Sequence, residues 1–220
     1  MKNIIFDWSG TLINNQHTMY RAVRRIFLDY KKPLPYKTFV QEFRQPLHGF
    51  YTKHLPGTSG ASIKRKLIRY YANETIPRLF QGMLKQLLLL KKTGPTIFIF
   101  SSLPQKLLER EVLGNKLSGV VEGAIGGVDD KKVVLKKFIA KNRFKKEDTC
   151  YVGDMIGDIH AAKAAGIQSI AVGWGYHKEK VLKHEKPTMF LQSPNQISKL
   201  FSLVNKSKSV GDDTSPTLTL

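Results

Sequence analysis

Short runs of apolar, β-branched or aromatic residues recur at positions 4–6, 96–100, 120–125, 149–152, 169–172 and 188–191. Gly, Pro, Asp or Ser bounds each run, which is the punctuation of strands. The runs are continuous rather than alternating, as expected when a sheet is covered on both faces. Between most of them, apolar positions fall at helical spacing. One such segment, 104–113, opens with Pro104 and stops at Gly114, and a second spans 132–143. A third, 158–165, has Asp158 placed to cap it and Gly166 to end it, and another is expected at 195–204 after Pro194. Strand and helix in alternation predict an α/β fold: a Rossmann-like parallel sheet flanked by helices, with right-handed crossovers.

The first alternation is interrupted. From Ile13 to about Thr93 the pattern is helical (19–30, 36–43, 62–71 and 76–92), with a Gly/Pro/Ser/Thr-rich loop at 48–60 between the two pairs. The expected organisation is therefore an α/β core from residues 1–14 and 94–205, an inserted helical cap from 15–93, and a mobile polar tail at 206–220.

Composition changes this picture little. Apolar residues make up 41% and charged residues 24%, which is ordinary for a globular domain and excludes a disordered or collagen-like chain. Cys150 stands alone, so no internal disulfide and no oxidising compartment is called for. The apolar runs are far shorter than the ~20 residues of a spanning helix. Met1-Lys2 leads into a strand-like run rather than a leader, so a soluble cytoplasmic protein with no membrane partner is expected.

Charge alters the picture more. Thirty-six Lys and Arg oppose seventeen Asp and Glu, a formal net charge of +19. Such an excess attracts phosphates: nucleic acid, anionic lipid or a small phosphorylated substrate. The densest stretch, 131–146, holds eight basic residues and no acidic one. Apolar positions at helical spacing within it favour a solvated helix face over a dedicated polyanion site. Nucleic acid is thus a weaker candidate partner than a small phosphorylated molecule.

In an open parallel sheet, ligands bind beyond the carboxyl ends of the strands. The first strand run is followed by Asp7-Trp8-Ser9-Gly10-Thr11 and the second by Ser101-Ser102. Gly153-Asp154-Met155-Ile156-Gly157-Asp158 and Gly173-Trp174-Gly175 follow two more. Carboxylates and hydroxyls therefore gather on one rim.

These residues, with Lys131 and the segment Ala161-Ala162-Lys163-Ala164-Ala165-Gly166, resemble the haloacid dehalogenase superfamily of hydrolases over residues 3–200, closest to its phosphoglycolate-phosphatase-like group. The resemblance implies a Mg²⁺-dependent phosphatase for a small phosphorylated metabolite. Asp7 would be the nucleophile that forms an aspartyl-phosphate. Asp7, the backbone carbonyl of Ser9, and Asp154 would hold the Mg²⁺, with Asp158 in the same metal set orienting its water. Thr11, Ser101 and Ser102 would contact the phosphate. Lys131, 23 residues before Asp154, would clamp phosphate and nucleophile, with the adjacent Lys132 the alternative.

The chain departs from the phosphatase pattern at one place: Ser9 stands where a second Asp is expected to serve as acid and base. A hydroxyl has no accessible pKa for that role near neutral pH. Three readings follow. A slower or rewired phosphatase would draw its proton from a group such as His17 or His48. A phosphonoacetaldehyde-hydrolase-like enzyme would cleave a C–P bond through a cap lysine; Asp7-Trp8-Ser9-Gly10-Thr11 is close to that branch, and Arg44-Gln45-Pro46-Leu47 followed by Lys53 matches it loosely. A catalytically weakened scaffold would bind polyanions or a protein partner. Dehalogenases also lack the second Asp but use no Mg²⁺, and the intact carboxylates at 154 and 158 argue against that branch.

Overall fold

A computed structural model describes residues 1–43 and 47–200. Its centre is a six-stranded, wholly parallel sheet in the order β3-β2-β1-β4-β5-β6. The strands are β1 (Asn3–Asp7), β2 (Thr96–Phe100), β3 (Gly123–Ile125), β4 (Thr149–Gly153), β5 (Gln168–Val172) and β6 (Met189–Leu191). β1 and β4 are buried along their whole length, which is why their sequences read as unbroken apolar runs. The expected third strand keeps only its last three residues, because Val120 and the residues after it turn into the sheet rather than pair.

Four helices lie between β1 and the rest of the core: α1 (Gln16–Asp29), α2 (Tyr36–Glu42), α3 (Leu47–His54) and α4 (Gly60–Ala72). α1 packs along α4, and Phe27, Phe39, Phe43 and Phe50 stack into one aromatic core. The stretch 48–60, expected as a loop, is helical through His54. Phe50 and Tyr51 supply a buried face that outweighs its Gly and Thr content. The helix expected over 76–92 begins only at α5 (Met83–Lys92). Before it, Leu79 bridges Ile13, Asn14 N–H donates to Arg78 O at 2.9 Å, and Phe80 N–H donates to Leu12 O at 3.0 Å. The two chain crossings between the insertion and the sheet are thereby tied side by side. α5 packs against the 3₁₀ turn Pro194–Lys199, next to the sheet.

The remaining helices are α6 (Gln105–Gly114), α7 (Lys131–Lys141), α8 (Ile156–Ala165) and α9 (Glu179–His184). α9 carries no strong periodic signal in its six residues. Arg44-Gln45-Pro46, the end of the helix expected at 195–204, the core boundary at 205 and the tail at 206–220 fall outside the described residues. No described helix is long and apolar enough to cross a membrane.

Candidate active site

β1 lies between β2 and β4, where the strand order changes direction, and there the sheet opens a crevice at its carboxyl edge. Asp7 ends β1. Phe6 is paired with Val152, so Asp154, just past the end of β4, faces it across the crevice. Asp158 sits in the first turn of α8. Oxygens of Asp7, Asp154 and Asp158 all lie within 4.8 Å of one another, and all three residues are buried.

Lys131 Nζ lies between two of them, donating to Asp7 Oδ1 and to Asp158 Oδ1, each at 2.6 Å. Lys131 is the first residue of α7, held there by Asp130, whose side chain caps the helix through the N–H groups of Lys132 and Val133. Lys132 is exposed and lines the neighbouring cavity, so of the two adjacent lysines the buried one meets the carboxylates. Asp158 was expected to cap α8. Instead Met155 stands at the cap position, and Asp158 Oδ2 reaches back to accept from Met155 N–H at 2.9 Å. The helix begins two residues earlier than the pattern implies, so Asp158 lies three residues inside it.

Thr11 Oγ1 donates to Asp154 Oδ1 at 2.9 Å and lies 3.4 Å from Asp7 Oδ2. The other oxygen of Asp154 accepts from Tyr176 N–H at 2.6 Å. Gly10 (φ +79°) and Gly175 let the backbone approach this carboxylate so closely that a Cβ at either position would collide with Asp154. Ser101, at the end of β2, is 1% exposed, and its Oγ accepts from Leu103 N–H at 3.1 Å. Ser102 faces the neighbouring cavity. Ser9 Oγ accepts from Asn15 Nδ2 at 3.0 Å. His48 lines the same cavity as Ser102, whereas exposed His17 stacks on Tyr36. Lys53 is exposed and ion-paired with Glu42 at 2.7 Å.

Burial lifts the Asp7 carboxyl to about 6, and the Asp158 charge adds to it against the opposing pull of Lys131. Burial, with the charges of Asp7 and Asp158, holds Asp154 well above the ordinary carboxylate range. Burial alone would lower Lys131, yet Asp158 and Asp7 hold it well above its ordinary value. Three buried carboxyl groups around one ammonium would, when all are ionised, leave two negative charges uncompensated, and the cost of burying that charge is what raises Asp7 and Asp154. Hard oxygen donors, a twofold charge deficit and the close glycine backbone around Asp154 fit a small divalent cation.

The family model for haloacid dehalogenase-like hydrolases matches residues 4–172, spanning β1 through β5 with the insertion and this site. The chain belongs to the haloacid dehalogenase-like hydrolase family. Among curated members, a phosphoglycolate phosphatase from Synechococcus elongatus is 23% identical over 209 residues, covering 90% of this chain and 95% of that protein. A pyrophosphatase from Halalkalibacterium halodurans is 25% identical over 204 residues, covering 88% and 93%. A solved haloacid dehalogenase-like hydrolase from Streptococcus pneumoniae superposes with a TM-score of 0.81 at 20% identity, over 91% of this chain and 98% of that one. The parallel sheet with flanking helices is thus the haloacid dehalogenase-like fold.

This haloacid dehalogenase-like site also contains residues that the strand-end pattern leaves out. Tyr71, from α4, accepts from Asn15 Nδ2 at 3.1 Å, and Tyr176 OH donates to Asn15 Oδ1 at 3.2 Å. Trp8 Nε1 donates to buried Glu111 Oε2 at 2.6 Å. Trp8 and Tyr176 carry a positional signal, being next to strand-end motifs. Tyr71 and Glu111 carry none, since they reach the site only through the packing of α4 and α6.

Proposed function

We propose that this chain is a Mg²⁺-dependent phosphatase acting on a small phosphorylated molecule through an aspartyl-phosphate on Asp7. The observation that carries the reading is the convergence of Asp7, Asp154, Asp158 and Lys131 at the sheet's switch point, with Lys131 also lining a cavity beneath the insertion. Asp7, Asp154 and the Ser9 backbone carbonyl would hold the Mg²⁺, which neutralises phosphate charge when bound.

An Asp7 oxygen attacks phosphorus, the P–O bond to the alcohol breaks, and the departing oxygen takes up a proton. Water then attacks the aspartyl-phosphate, releasing inorganic phosphate and restoring the Asp7 carboxylate. Lys131 holds the attacking carboxylate in one orientation and offers its charge to the phosphoryl oxygens. Thr11 and Tyr176 N–H fix both oxygens of Asp154, and Asp158 fixes Lys131. Ser101 and Ser102 lie on the rim where phosphoryl oxygens would be met. Ser9 accepts from Asn15, which leaves its own O–H as a hydrogen-bond donor to the leaving oxygen.

The insertion acts as a cap, comprising α1–α4 and ending where Leu79 bridges Ile13. α5 belongs to the core side, because its partner is the turn after β6. The C–P-cleaving alternative draws no support from Lys53, whose ammonium is occupied by Glu42.

Phosphate release from an aryl phosphate is expected with Mg²⁺ and is lost in chelator or in Asp7→Asn. Full activity in chelator would refute the metal-assisted route, and full activity in Asp7→Asn would refute the covalent one.

A further inference from the structure

The cavity beneath the insertion encloses about 920 Å³ and runs from Lys131 outward between α3, α4 and the rim of the sheet. That volume holds a medium-sized organic molecule rather than a two-carbon acid. Its walls away from the carboxylates are mostly apolar: Tyr51, Ile63, Leu67 and Ile68 from the insertion, Leu103 and Leu107 from the core. Most charged groups among the described lining residues have a partner. Lys64 is paired with Asp129 at 2.9 Å, His160 with Glu185 at 2.7 Å, and Lys131 with the catalytic carboxylates, while Lys132 lies beside Lys131 at the phosphate end.

A substrate bearing a second anionic group away from the Lys131–Lys132 end would therefore bury it largely against hydrocarbon, which is strongly unfavourable. Polar side chains such as Thr52, Thr58 and His48 interrupt the apolar wall, and one polar atom on it is both buried and unpartnered. The Tyr51 hydroxyl lies in a residue 7% exposed and has no hydrogen-bond partner among the described residues. A buried hydroxyl left without a partner costs stability unless something bound supplies one.

We propose that this cavity receives the leaving-group part of the substrate, and that this part is uncharged and largely hydrocarbon with one hydrogen-bond acceptor for Tyr51. The inference rests on the phosphatase reading for the phosphate end and adds the class of ester. It separates this chain from an enzyme whose substrate carries a carboxylate beside its phosphate.

The test uses the full chain with Mg²⁺ and two matched series, monoalkyl phosphates and hydrolysis-resistant alkylphosphonates, from methyl to octyl. kcat/KM for the esters and calorimetric affinity for the phosphonates are expected to rise roughly two- to fourfold per methylene until the cavity is full. Leu67→Glu should flatten both trends. Tyr51→Phe should weaken an ether-bearing ester by roughly three- to tenfold relative to its plain alkyl counterpart.

Turnover that is flat with length and highest for phosphoglycolate would overturn the inference and leave the phosphatase reading standing. Length-dependent phosphonate binding without turnover of any ester would uphold the cavity assignment and sink the hydrolytic reading. Absence of both would overturn both.

Discussion

Ser9 is the position where local chemistry and overall assignment pull apart. Its Oγ already accepts from Asn15 Nδ2, so an aspartate there would inherit a donor for one carboxylate oxygen and keep the other for proton transfer. Ser9→Asp is expected to raise kcat on alkyl phosphates, within the ~10²–10⁴-fold that general acid–base catalysis typically contributes. An unchanged rate in a stopped assay would show that proton transfer is supplied elsewhere. Asp7 makes a second prediction. Its folded pKa, about 6, stands above the unfolded value of 3.8. The stability linked to its protonation is therefore fully present below pH 3.8 and is lost as pH rises through 6. Asp154 is shifted in the same direction. The metal-free protein should consequently gain less Tm between pH 5 and pH 7 than its Asp154→Asn variant, and millimolar Mg²⁺ should remove much of that difference. Identical pH profiles for the two proteins would contradict the assigned burial cost.

Helix termini place the site's charged groups. α7 starts at Lys131, where the Asp130 side chain accepts from the N–H groups of Lys132 and Val133, so this cap sets both the helix and the ammonium. Asp130→Ala is expected to cost about 0.5–2 kcal/mol in urea denaturation. Activity should fall further than that loss of stability explains, because Lys131 would no longer be held between Asp7 and Asp158. A purely stability-limited activity loss, restored by cooling, would show that the cap does not position the lysine. α8 works in the opposite sense: Asp158 leaves the cap position to Met155 and spends one oxygen on that residue's N–H and the other on Lys131. Loop content misleads at α3, where the buried ring faces of Phe50 and Tyr51 stabilise a helix that Gly49 and Thr52 disfavour.

Taken together, the chain carries +19, while three of its seventeen acidic residues converge in one buried centre. Self-repulsion among the exposed lysines and arginines should make Tm rise with ionic strength over the range where the Debye length shrinks from about 30 to 8 Å. A Tm independent of salt would mean that the surface charge is already locally compensated, as it is at Lys64–Asp129 and Lys183–Glu179. The same charge should retain duplex DNA at low salt in a gel shift and release it by physiological salt; retention there would make nucleic acid a specific partner. The insertion and core are also joined by hydrogen bonds, through Arg110 Nη1 donating to Ala72 O at 2.6 Å and Asn15 Nδ2 donating to Tyr71 OH. The active centre is thereby linked to the helices that roof it.

The order of elements, the parallel sheet and the carboxylates at its rim are legible from one-dimensional pattern alone. Apolar runs, helix periods and strand-end motifs are local, and each is written within a dozen residues. The choice of Lys131 over Lys132 is not local. It depends on where α7 begins, and so on which of two adjacent side chains turns inward. Asp158's bond to Met155 N–H, Tyr71's approach to Asn15 and Glu111's hold on Trp8 likewise join residues whose spacing carries no periodic signal. The cavity's apolar walls come from α3 and α4 of the insertion together with Leu103 and Leu107 of the core. Their shared surface exists only once burial of hydrocarbon has folded the insertion over the rim.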